Sequence, residues 1–207
     1  MYPSVNLTDI DIFNKPARVI VAGYSGCGKS YLVSELVKLY HAKFQKIVVY
    51  GTALEGLQDI SIVRGGDENP LDDDSFGQKL VIFDDCIYNR TLMKIAGEVF
   101  IRGRHLNISS IFITQNIFLA DKEFRAISLN ATHITLLRHR DMKQILCFAR
   151  SFLTEEKVKK FLDLYKKVVI KEPYSHILID FTKDIESPLM LRSGIASATA
   201  YEKTYLL

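Results

Sequence analysis

Short apolar runs rich in β-branched residues recur along the chain, separated by stretches with helical spacing of apolar positions. Ala17–Ala22, Lys46–Tyr50, Leu80–Phe83, Ile108–Thr114 and Thr132–Leu137 are mostly apolar at successive positions. That is the pattern of parallel strands covered by helices on both faces. Helices are predicted over Lys29–Tyr40, Thr91–Arg104, a shorter Lys122–Leu129, Met142–Phe152 and from Thr154. At the last of these, Thr154-Glu155-Glu156-Lys157 sets a hydroxyl cap ahead of first-turn carboxylates. His176–Phe181 and Pro188–Leu191, joined by a polar turn, predict a terminal antiparallel hairpin. The alternation predicts an α/β fold with a central, mainly parallel sheet flanked by helices. Residues 1–192 read as a single domain, and 193–207, small and polar, as a flexible tail or a partner-binding arm.

Composition narrows this only a little. The 207 residues are 48% hydrophobic and 25% charged, which excludes disorder, collagen-like repeats and a disulfide scaffold. A chain of this length buries roughly 70% of its unfolded surface, enough for one sizeable core. Cys27, Cys86 and Cys147 are widely spaced with no CxxC pair, which argues against disulfides or structural zinc and for a reducing setting. The start of the chain carries Asp9 and Asp11 and has no basic, then apolar, leader. No window reaches the roughly 18 apolar residues of a membrane span. A soluble cytosolic or nuclear protein with no membrane partner is expected.

Charge is more informative in its distribution than in its sum. The net charge of +3 neither demands nor excludes a polyanion. Residues 52–78 hold seven carboxylates against one arginine and read as a mobile surface loop. Residues 138–171 hold ten Lys and Arg against four acids, either a solvated helix face or a polyanion-binding surface.

The chemistry is carried by Gly23-Tyr24-Ser25-Gly26-Cys27-Gly28-Lys29-Ser30, which fits G-x-x-x-x-G-K-[ST] completely. It follows a strand and opens a helix, so its amides and the helix dipole can face a phosphate. Gly23, Ser25, Gly26, Cys27, Gly28, Lys29, Ser30 and Tyr31 are the candidate ATP-binding residues. Lys29 is expected between the β- and γ-phosphates and Ser30 on Mg²⁺. The run Leu80-Val81-Ile82-Phe83 ends in Asp84-Asp85, placing Asp84 to hold Mg²⁺ and Asp85 to orient an attacking water. The next strand ends in Thr114-Gln115-Asn116, where the Gln115 amide can sense the γ-phosphate. Before that strand, Arg102 and Arg104 are each candidates for an arginine finger or for plain surface cations at a helix end.

Taken together, these residues resemble the FtsK–HerA superfamily of DNA-pumping P-loop NTPases (RecA-like, ASCE type). They are most similar to the compact genome-packaging ATPases of poxvirus-like viruses, virophages and self-synthesising transposons. The likeness spans about residues 17–192 and is most specific at Gly103-Arg104-His105-Leu106-Asn107-Ile108 through Ile111-Phe112-Ile113-Thr114-Gln115. It implies a strand added between the phosphate-loop strand and the Asp84 strand. It also implies a homo-oligomeric ring of five or six subunits, with Arg104 acting in trans and Gln115 as sensor. Arg102, Arg125 and Arg138 are the competitors for the trans role. Double-stranded DNA is the implied substrate, a viral capsid vertex the implied partner, and the host cytoplasm or nucleus the implied setting.

For DNA contact, Arg138, Arg140 and Lys143 are candidates, with plain surface roles as the alternative. His133, His139 and Tyr88 suggest no chemistry beyond core or surface positions. A nucleoside or nucleotide kinase of similar length shares the phosphate loop. The Asp84-Asp85 ending, however, points to water as acceptor. A GTP switch protein requires Asn-Lys-x-Asp after the fourth strand, and the only Asn-Lys here is Asn14-Lys15.

Overall fold

A computed structural model describes residues 4–5, 11–54, 57, 60–66, 68–73, 75, 77–171, 173–187, 190–194 and 202–207. Strand β1 (Ser4–Val5) is followed by β2 (Arg18–Ala22), α1 (Lys29–Tyr40) and β3 (Lys46–Tyr50). Next come β4 (Val63–Arg64), β5 (Lys79–Asp84), α2 (Arg90–Arg102) and β6 (Ile108–Thr114). The chain continues through α3 (Lys122–Asn130), β7 (His133–Leu136), α4 (Met142–Arg150) and α5 (Glu155–Tyr165). It closes with β8 (Ile177–Asp180), β9 (Leu191–Ser193) and β10 (Glu202–Tyr205).

One sheet holds all of these strands, in the order β1-β10-β9-β8-β7-β2-β6-β5-β3-β4. From β7 to β4 every pairing is parallel, and from β7 to β1 every pairing is antiparallel. The expected fold class is therefore observed, including the added strand: β6 lies between β2 and β5. The chain leaves β2 to one side for β3 and later returns to its other side as β7. This reversal opens a crevice beyond the carboxyl ends of the strands, where ligands bind in open α/β sheets.

The period of two within each strand sorts side chains into two cores. Val19, Val21, Ile47, Val49, Ile82 and Ile113 pack with Leu32, Val33, Leu36 and Val37 of α1 on one face. Ile20, Val48, Tyr50, Phe83 and Phe112 pack on the other face with α2 to α5. There Tyr50 stacks on Phe83 at 5.0 Å, and Phe112 contacts Phe124 at 5.9 Å. Phe83 and Phe112 are fully buried, so truncating either to Ala costs about 3–5 kcal/mol. Asp121 and Asp141 cap α3 and α4 by accepting from Phe124 N and Lys143 N, both at 2.8 Å.

Several local expectations change. The helix expected to reach Arg104 ends at Arg102, because Gly103–Leu106 tightens into a 3₁₀ turn closed by Asn107 at φ 56°. Thr154 stands at the cap of α5 but makes no side-chain cap bond; its carbonyl accepts from Val158 N at 2.9 Å. The acidic stretch contains order: β4 pairs with β3, and Asp73 holds Lys46 at 2.7 Å and Lys79 at 3.4 Å. The hairpin forms as β8 and β9, with the second strand at Leu191–Ser193; Pro188 and Leu189 lie outside the described residues. Inside it the fully buried Arg192 donates to Asp180 at 2.9 Å. Of the last segment, 195–201 lies outside the described residues, and β10 pairs with β9 through Tyr205↔Leu191. No helix among the described residues is long and apolar enough to cross a membrane.

Candidate nucleotide site

The phosphate loop is suspended between β6 and β7. Gly23 N donates to Thr114 O at 3.2 Å and Tyr24 N to Arg138 O at 2.9 Å, so the loop begins clamped on both sides. Gly26 and Gly28 then take φ of 80° and 98°, conformations that glycine adopts without steric cost. Gly28 caps α1, and the amides of the first turn that follows have no helical acceptors of their own. Lys29 Nζ donates to Gly23 O at 2.8 Å and Tyr24 O at 3.0 Å, which folds the ammonium over its own loop.

A cleft of about 340 Å³ lies at this point. Ser25, Gly26, Gly28, Lys29, Ser30 and Tyr31 line it from the loop and helix, Asp84 and Asp85 from β5, and Gln115 from β6. Gly23 and Cys27, also expected among the nucleotide ligands, are buried behind that wall. Burial raises the Cys27 thiol pKa against the opposing pull of Lys29. Thr52 was missed by sequence reasoning: it lines the cleft just past β3, its hydroxyl 3.4 Å from Asp84 Oδ2. Its only sequence signal is a hydroxyl two residues beyond an apolar strand.

The two acids differ in environment. Asp84 is half-buried, and burial first, then the Asp85 charge, raises its carboxyl above the usual range. Asp85 is exposed, at φ 52°. Gly51 makes room for the pair, since a Cβ there would sit 2.3 Å from Asp84 O. The donor set suits the groups the fold implies. Open amides and an ammonium fit phosphates, while the Ser30 and Thr52 hydroxyls with two carboxylates form an all-oxygen set of the kind Mg²⁺ takes alongside substrate phosphates.

Arg104 does not join this cleft. It is exposed in the 3₁₀ turn before β6, its Nε donating to His105 Nε2 at 3.2 Å, and its charge lowers the pKa of Arg18 after the larger effect of burial. Arg102, Arg125 and Arg138 are likewise exposed and outside the cleft. Beside it, a smaller recess of about 220 Å³ shares Ser25 and Gln115 and is lined by His139, Arg140 and Gln144. The Arg140 guanidinium lies 5.3 Å over the Tyr24 ring, and Lys143 is exposed one turn on. The buried His139 is a core residue: Nδ1 donates to Leu137 O at 2.9 Å, and burial lowers its pKa. His133 is also buried, 3.4 Å from Asp180, whereas Tyr88 is exposed.

Neither a family model nor a curated relative matches the sequence. Solved structures do. The genome packaging NTPase B204 of Sulfolobus turreted icosahedral virus 2, in complex with sulfate, superposes with a TM-score of 0.60 at 17% identity. That match covers 81% of this chain and 92% of B204. The B204 complex with ATP-gammaS gives 0.59 at 16% identity, over 82% and 94%. EssC (ATPases 2 and 3) from Geobacillus thermodenitrificans gives 0.55 at 13% identity, over 92% of this chain but 39% of that one. With the phosphate loop, the added strand and the antiparallel hairpin all in place, the chain has the P-loop ATPase fold seen in the viral genome-packaging NTPase B204.

Proposed function

We propose that the protein is a Mg²⁺-dependent ATPase that drives double-stranded DNA into a viral capsid, working as a homo-oligomeric ring. The observation that carries the ATPase reading is the single cleft in which Lys29, Ser30, Asp84, Asp85 and Gln115 meet. The packaging reading draws on the fold of B204, whose chain this one spans almost end to end. Residues 1–192 would then be the motor domain, with the candidate finger and phosphate site both inside it.

Each residue has a distinct task. The loop amides and Lys29 bind the triphosphate, which requires Lys29 to leave its own loop carbonyls for the phosphate oxygens. Ser30 and Asp84 would hold a Mg²⁺, which would neutralise charge on the bound phosphates. Asp85 orients the water and accepts its proton, while the Gln115 amide reports whether the γ-phosphate is present. Arg104 would come from the adjacent subunit to stabilise charge in the transition state. Arg138, Arg140 and Lys143 would face the DNA backbone near the same end of the sheet.

Phosphate release from ATP should be measured alone, with duplex DNA and with a nucleoside acceptor. Hydrolysis in water, stimulated by DNA and lost in Lys29→Ala and Asp85→Ala, is expected. Turnover only with the nucleoside acceptor would replace the motor with a kinase.

A further inference from the structure

An aromatic ring outside the cleft residues rests on the phosphate loop. After α5 the helix widens into a π-turn at Lys166–Ile170, a form that concentrates at functional sites. The chain then bends back toward β8, and in that bend Tyr174 adopts φ 59°. For an aromatic residue this left-handed conformation is rare and has to be imposed by its surroundings. What it achieves is placement: a Cβ on Gly28 would lie 2.8 Å from Tyr174 Cδ1. Gly28 thus serves twice, once for its own φ of 98° and once to let the ring approach.

The ring has not been placed there to fill a core. Tyr174 is 69% exposed, and so is little stabilised by burial. Tyr31, one residue past Ser30 and lining the cleft, is 64% exposed. Two solvated tyrosines therefore lie near the point where the loop ends at Gly28 and the helix begins at Lys29. A nucleotide whose phosphates lie on those amides must send its sugar and base outward over this rim. Tyrosine faces accept any base by stacking, without reading its edge.

We propose that Tyr174 is the stacking platform for the base of the bound nucleotide, with Tyr31 a second exposed ring at the cleft. This rests on the phosphate-loop reading above and adds to it a base subsite formed by the α5–β8 connection. Because recognition is by the π-face, ATP and GTP should depend on Tyr174 alike.

The test compares ATP with inorganic tripolyphosphate, which shares the phosphates and lacks the base. Binding of both, with Mg²⁺, is measured by calorimetry on the full chain for wild type, Tyr174→Ala and Tyr174→Phe. Tyr174→Gly, which tolerates the positive φ, replaces the alanine variant should that one misfold. ATP affinity is expected to fall about 10-fold or more on removing the ring, to survive in Tyr174→Phe, and tripolyphosphate affinity to stay unchanged. Equal losses for both ligands would mean that the ring only props the loop, and an unchanged ATP affinity would mean that no base stacks there. Either result overturns the platform while leaving the phosphate site standing. A wild type that binds neither ligand overturns both.

Discussion

Arg104 and Gln115 stand eleven residues apart in the sequence and at opposite ends of one strand. The seven residues of β6 between them span roughly 20 Å at about 3.3 Å each. Gln115 lines the nucleotide cleft at the carboxyl edge of the sheet, and Arg104 sits at the amino edge beside Arg18. A side chain cannot cross that distance, so Arg104 cannot serve the cleft of its own chain.

The expected outcome for Arg104→Ala is retained ATP binding with turnover reduced by about 10³-fold or more, the scale of a lost arginine finger. Mixing Arg104→Ala with Lys29→Ala should restore part of the activity, since some interfaces then pair an intact phosphate loop with an intact arginine. Steady-state ATPase measured across mixing ratios checks this. A flat, inactive series would assign the arginine another role, with Arg102 the first alternative to try.

Asp84 offers a pH test with a defined sign. Its carboxyl is raised by burial and then by the Asp85 charge, so a proton competes with the cation at higher pH than for an ordinary carboxylate. Affinity for Mg²⁺ with a non-hydrolysable ATP analogue should fall as pH drops through that raised value. Asp85→Asn removes the second cause and should move the fall to lower pH. Fluorescence titrations across pH decide it, and an identical midpoint in the two proteins would discard the coupling.

A second pH effect acts on stability. His176 is buried just before β8, and burial lowers its pKa from 6.5 to about 4. The folded state holds it neutral, so its contribution is complete above pH 6.5 and is lost as pH falls toward 4. The loss amounts to about 3 kcal/mol at the low end. Asp180 behaves in the same sense over a lower range. Burial would raise its pKa, but the bonds from His133 and Thr182 outweigh that and bring it to about 2. Denaturant unfolding at several pH values should show wild type weakening between 6.5 and 4 and His176→Phe weakening less there, with buried His139 supplying part of what remains. Parallel curves would assign the acid sensitivity elsewhere.

The parts legible in the sequence are those determined by neighbours along the chain. The phosphate loop needs glycines at fixed offsets, a strand before it and a helix after it, all within about 25 residues, and α1 and β3 run over the very residues the periodicity implies. The apolar runs announced strands buried on both faces, and Asp84 followed from its place at the end of one. What the sequence alone could not decide were relations between segments far apart in it. Thr52 faces Asp84 only because β3 pairs with β5, and Tyr174 reaches Gly28 only because the α5–β8 bend folds back over the loop. Even Arg104, visible in its motif, acquired meaning from the direction of β6. Local chemistry is written in spacing, whereas which strand ends share a cleft depends on the order in which strands pair, and that order is a property of the packed sheet.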